Sequence, residues 1–233
     1  MKTPAEIIDF LESLLGIYFY DIRHKHRSVF ILCDTLVELS CKIKVVERDE
    51  NINTKSFNFN QSLIEAKVPL KLRRKLLSSH KLRNEMQHKS SILTIDEQKC
   101  ADSIMDFVEL LRKLWGKYCM DYTPDWVNCS LRIIKLHSSQ GNIKKRKELK
   151  ENIHNDVDWN SVEPKVDQRV FQPSEDPRVY NFLGIEGAAP GRQEIRKNEV
   201  IIKIGSEEHW SFILRHYTEK IERVLDALSI DKF

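Results

Sequence analysis

No Cys-x-x-Cys pair occurs in this chain. Its 233 residues hold five cysteines. They are Cys33, Cys41, Cys100, Cys119 and Cys129, an odd set at scattered spacings. Zinc ribbons and disulfide frameworks need paired cysteines, so both readings fall away and a reducing compartment, the cytoplasm, is expected. An apolar run of membrane-spanning length is also missing, and so is a signal-peptide pattern. The first segment is already amphipathic, and no membrane association is expected. Net charge is only +3, so basic character must be local rather than global. Internal repeats are absent. Residues 184–192 are rich in glycine but lack the Gly-Lys-Ser/Thr ending of a phosphate loop, and read as a surface loop.

What is present is an ordinary globular composition, 41% hydrophobic and 31% charged, in a chain long enough for a substantial core. Residues 1–119 read as all-helical. Thr3, Pro4 and Glu6 start a helix, and Ile7, Ile8, Leu11, Leu14, Leu15 and Tyr18 follow at helical spacing. A second helix is predicted over 26–46, a polar loop over 49–60, and a short helix over 61–67. A basic helix is expected from Pro69 to about Lys89, with a break near 78–80. A turn over 90–94 precedes a last helix over 96–118, marked by Ala101, Ile104, Met105, Val108, Leu111, Trp115 and Tyr118. Short connections between such helices predict an antiparallel bundle.

The texture changes after Tyr118. Residues 120–154 read as a linker with a basic segment, in which 142–152, basic at 144–147 and poorly amphipathic, is either linker or an exposed helix, and the apolar run 131–136 reads more like a strand. Residues 155–200 carry Pro164, Pro173, Pro177 and Pro190 with Gly184, Gly187 and Gly191, and no long periodic run. A strand is predicted over 200–204, then a helix over 207–228, capped by Ser206, with Trp210, Ile213, Leu214, Tyr217, Ile221, Val224 and Leu228 as its stripe. The expected fold class is therefore mainly α: an antiparallel helical bundle over 1–119, a linker over 120–154, and a small α+β region over 155–233.

The chemistry concentrates in Leu82-Arg83-Asn84-Glu85-Met86-Gln87-His88. Asn84 and His88 stand at i and i+4 on one helix face, and the long Arg83 side chain can swing to the same edge. A histidine that takes a proton from a ribose 2′-hydroxyl, and an arginine that holds the phosphate oxygens, are what metal-free RNA cleavage requires. The surroundings suit a polyanion: Lys71, Arg73, Arg74, Lys75, Lys81 and Lys89 surround a single acid, Glu85. Neighbouring cations should keep His88 neutral and able to accept a proton. Arg73 and Arg74 before His80, and Arg132 before His137, repeat the bare spacing, but no polar amide follows Arg74 or Arg132.

The segment Arg83-Asn84-x-x-x-His88, inside a helix followed by another amphipathic helix, resembles the HEPN superfamily, whose pattern is Arg, four to six residues, then His. The resemblance covers residues 1–119. It implies an all-α bundle that dimerises to bring two Arg–His pairs into one cleft. It also implies metal-independent endoribonuclease activity of the toxin or antiviral-defence kind, without a cofactor, and a possible antitoxin or regulatory protein partner. By position, Arg83 and His88 are the active pair and Asn84 the polar accessory. One toxin branch carries a tyrosine two residues after the histidine; Ser90 stands there instead, so control through that tyrosine is not expected.

Competing readings are blander. A helical module of this kind can bind RNA or a protein without cutting. His154, Asp156 and Asp158 form a short acid pair near a histidine, more often a cap or loop than a metal site. His24 and His26 flank Lys25 and read as surface residues. Trp126, Trp159 and Trp210 are candidates for base stacking, although Trp210 fits a core stripe.

Overall fold

The computed structural model describes residues 4–19, 23–88, 94–117, 119–120, 123–156, 194–196, 199–201, 214 and 218–232. Helices dominate them: α1 (Ala5–Phe19), α2 (Lys25–Arg48), α3 (Phe59–Glu65), α4 (Leu70–His88), α5 (Glu97–Trp115), α6 (Asp125–His137), α7 (Ile143–Asp156) and α8 (Thr218–Ala227). Side-chain caps start several of them. Asn58 Oδ1 accepts from the Gln61 N–H before α3, and Asp96 Oδ1 from the Lys99 N–H before α5. Gly116 closes α5 at φ 91°, where a side chain would strain the backbone. Lys67, at φ 60°, ends α3 with its N–H bonded to Ile64 O while the next N–H, of Val68, reaches back to Leu63 O.

The long α2 is the central element and touches α1, α3, α4 and α5. Its directions follow from side-chain contacts. Arg27 reaches the Met86 carbonyl and Asp34 reaches His80, so α2 and α4 run antiparallel. Cys33 meets Ser103 and Glu47 meets Trp115, so α2 and α5 run parallel. One continuous apolar core runs from Ile7 and Leu11 of α1, through Leu36, Leu72 and Phe107, to Leu131, Leu149 and Leu225. At about 25 cal/mol per Å² of buried apolar surface, this core is the main source of stability.

Several expectations change. The run 131–136 is helical, not a strand: α6 packs against α1, α5, α7 and α8, and so short an apolar run does not reveal its period. Residues 120–154 are not a bare linker: they carry α6 and α7, and Val127, Ile134 and Leu149 belong to the same core. The basic helix passes through 78–80 without a break, since Ser79 packs inward between Leu76 and Met86 and neither proline nor glycine interrupts it. The polar loop over 49–60 contains a 3₁₀ turn at Thr54–Ser56 and the start of α3. In the last region, β1 (Glu194–Arg196) pairs antiparallel with β2 (Glu199–Ile201). Residues 202–204 of the expected strand, the 207–213 part of the expected helix, Ser206, Trp159 and Trp210 lie outside the described residues. Trp126 packs against the core rather than standing free. Among the described residues, no helix is long and apolar enough to cross a membrane.

Candidate functional site

Asp34 lies on α2 among core residues, only 6% exposed. A buried carboxylate must find donors, and the nearest come from α4. His80 Nδ1 stands 2.9 Å from Asp34 Oδ2, and Arg83 Nε 3.6 Å from the same oxygen, an ion pair without a hydrogen bond. Burial pushes the Asp34 carboxyl above its ordinary value, and His80 and Arg83 hold it back in part. His80 also lies flat on Phe59 of α3, ring centroids 3.9 Å apart at 10°.

His80 and Asn84 are at i and i+4, and Asn84 Nδ2 stands 3.1 Å from His80 Nε2. The other end of the amide, Oδ1, accepts from Arg83 Nη1 at 3.0 Å. The same Nη1 donates to Gln87 Oε1. Asp34, His80, Asn84 and Arg83 thus form a closed ring of contacts between two helices. Arg27 ties the two helices again by donating to the Met86 carbonyl at 3.2 Å, supplying a partner to one of the last carbonyls of α4.

Measured against known protein families, curated proteins and solved structures, the chain matches none.

The sequence motif therefore divides. Arg83 and Asn84 are brought together. Arg83 has swung onto the Asn84–Gln87 edge of α4, the edge His88 shares at i+4 from Asn84. His88 itself is exposed in the last turn and has no hydrogen-bond partner among the described residues. Asn84 does not orient His88; it orients Arg83. Sequence reasoning missed Asp34, Phe59 and His80. An acid inside the apolar stripe of α2 was a readable signal, and so was the repeat of the i, i+4 spacing at His80–Asn84.

The basic residues also sort themselves. Lys71, Arg74 and Lys81 are exposed, and with Ser78 and His88 they follow steps of three, four or seven along one face of α4; Lys67, just before the helix, is exposed as well. Lys67 was not foreseen, because it precedes the helix. Arg73 is half-buried. Lys75 is committed elsewhere: its Nζ binds Asp106 at 2.8 Å and lies 3.7 Å from Glu109, and the Asp106 bond raises its pKa. Lys89 and Ser90 lie outside the described residues, as do the side chains of His154, Asp156 and Asp158. Among the described residues, no three His, Cys, Asp or Glu side chains stand together as a metal-holding group. A cleft of about 840 Å³ opens toward the C-terminal end of α2, lined by Leu39, Ile43, Val46 and Arg48 among others, and includes no member of the Arg83 ring.

Proposed function

We propose that this chain is a metal-independent endoribonuclease of HEPN type, with Arg83 and His88 as its catalytic residues. The observation that carries the reading is the placement of the Arg83 guanidinium. It is turned onto the edge of α4 that bears His88, at the end of an exposed cationic stripe.

In this reading the RNA backbone lies along α4, held by Lys71, Arg74 and Lys81. His88 draws the proton from a ribose 2′-hydroxyl, and the freed oxygen attacks the adjacent phosphorus. The 5′-oxygen leaves and takes up a proton. The products are a 2′,3′-cyclic phosphate and a 5′-hydroxyl end. Arg83 binds the non-bridging oxygens, where its planar fork matches phosphate. Proton transfer supplies roughly 10²–10⁴-fold and charge stabilisation at the phosphate about 10²–10³-fold. DNA lacks the nucleophile and is not cut. A homodimer sets two Arg83–His88 pairs across one cleft, and a protein partner of antitoxin or trigger type restrains them. The β1–β2 ribbon and α8 belong to an α+β elaboration over 155–233. The activity is a cytoplasmic one.

The test is incubation of the purified chain with end-labelled single-stranded RNA and tRNA in EDTA, beside Arg83→Ala and His88→Ala. Each substitution should lower cleavage by at least about a hundredfold with the fold intact. A His88→Ala protein of full activity would remove the assignment. A second reading, RNA or protein binding without cleavage, draws on the absence of an orienting bond to His88 among the described residues. Binding at wild-type strength with no cleavage product would select it.

A further inference from the structure

The ring around Arg83 holds a choice that depends on one proton. An amide has one accepting end and one donating end, and Asn84 uses both: Oδ1 toward Arg83 Nη1, Nδ2 toward His80 Nε2. Nδ2 can only donate, so His80 Nε2 must carry a lone pair. The ring proton then sits on Nδ1, where it donates to Asp34 at 2.9 Å. Along the path Arg83 Nη1–Asn84–His80–Asp34 each donor meets an acceptor, and it does so only while His80 is neutral; Arg83 Nε stands outside this path, facing Asp34 without a hydrogen bond.

A proton added at Nε2 sets two donors against each other at 3.1 Å. The imidazole cannot turn to relieve this, because Asp34 holds Nδ1 and Phe59 is stacked flat on the ring. The free element is Asn84. Its amide turns over, giving Oδ1 to His80 and presenting Nδ2 to Arg83. A guanidinium only donates, so Arg83 loses its Asn84 bond and keeps the one to Gln87 at the exposed side.

We infer that His80 is a positioning residue for Arg83, acting through Asn84: neutral His80 keeps the guanidinium bonded to Asn84 and Gln87 together, and protonated His80 leaves it on Gln87 alone, free to turn to solvent. The charges facing the imidazole are Asp34 of α2, with Glu38 acting on it from the next turn, and Arg83 of its own helix. From α3 comes the uncharged ring of Phe59. On α5 the acids Asp106 and Glu109 are engaged by Lys75. The functional importance of the switch rests on the assignment of Arg83 to phosphate binding; the switch itself rests on the ring geometry.

The experiment follows both in the full chain. Nitrogen-15 NMR reads the His80 ring nitrogens and the Arg83 side-chain resonance through a pH titration from about pH 8 to pH 5. The expected result is a neutral His80 with its proton on Nδ1, and an Arg83 resonance that shifts with the same midpoint. In Asn84→Asp, a carboxylate accepts from both neighbours at once. The Arg83 shift should then vanish. Cleavage supplies the second readout. If His88 and His80 must both be unprotonated, log rate should fall on the acid side with a slope approaching about two, and about one in Asn84→Asp. An Arg83 resonance indifferent to His80, or a proton found on Nε2 in neutral His80, would overturn the inference. Linked shifts in a protein that cuts no RNA at any pH would uphold the switch while removing the nuclease reading.

Discussion

Replacing Arg132 with methionine should not lower stability, although the arginine is wholly buried in α6. Its Nη2 donates to Asp226 Oδ1 at 2.6 Å and to the Ile230 carbonyl, while Nε and Nη1 are buried with no acceptor. A guanidinium has five N–H groups, so the one on Nε and the pair on Nη1 are unmet. Two charge-assisted bonds contribute about 1.5–3 kcal/mol each. Against them stand several kcal/mol for stripping water from the cation and about 1–3 kcal/mol for an unmet buried donor. With three N–H groups unmet, the terms against the cation at least equal those for it, and Arg132→Met is expected to be neutral or stabilising by up to about 4 kcal/mol. Asp226→Ala is different, because it leaves the buried cation without its counter-charge. Such a loss costs about 3–5 kcal/mol when both partners are buried. Asp226 is 51% exposed and the Ile230 carbonyl still accepts, so about 2–3 kcal/mol is expected. In the Arg132→Met background the same alanine should cost under about 0.5 kcal/mol. Urea unfolding followed by helical circular dichroism, with matching m-values, measures all four proteins of the cycle. An Arg132→Met protein less stable than Asp226→Ala would refute the reasoning and make the buried cation a net stabiliser.

Other outcomes follow from the same physics. Burial alone would raise the Glu97 carboxyl, but His137, Arg146 and His26 outweigh it and hold it below the ordinary value of 4.5. A depressed carboxyl contributes stability that is present above that value and lost as pH falls through the folded one. Melting temperature should therefore decline on acidification below about pH 4.5, and less steeply in Glu97→Gln; equal slopes would deny the contribution. The thiols of Cys33, Cys41 and Cys129 are pushed up to about 12 by burial, and that of Cys100 higher still. Ellman's reagent should leave all four unmodified in the native protein at about pH 8 and label them on unfolding; rapid native labelling would contradict the packing. Gln substitutions at Lys71, Arg74 or Lys81 should each lower the salt-dependence slope of RNA binding by about one, whereas Lys75→Gln, already paired with Asp106, should change it little.

Periodicity made most of the bundle readable, because α1, α2 and α5 each have a wet face and a dry one. It failed at α6 for a physical reason. Val127, Cys129, Ser130, Leu131, Arg132, Ile133, Ile134 and Leu136 are all buried, leaving a narrow polar row at Asp125, Asn128 and Lys135, and the short apolar run 131–136 cannot by itself be told from a strand. Half of the candidate site was legible because Arg83 and Asn84 are neighbours on one helix. The contacts of Asp34 and Phe59 with His80 were not, although Asp34 itself stands out as an acid in an apolar stripe, since they span separate helices and exist only after α2, α3 and α4 have packed.

The shared core also has a consequence in time. Leu225 and Ile230 complete an apolar cluster that begins at Ile7. At roughly 5–20 residues per second of synthesis, the interval between the emergence of His88 and of Leu225 is on the order of ten seconds or more. Through that interval the α6 side of the core waits uncovered, with the whole Arg83 ring already made. The newborn chain therefore holds every member of the Arg83 ring before it holds the residues that finish its core.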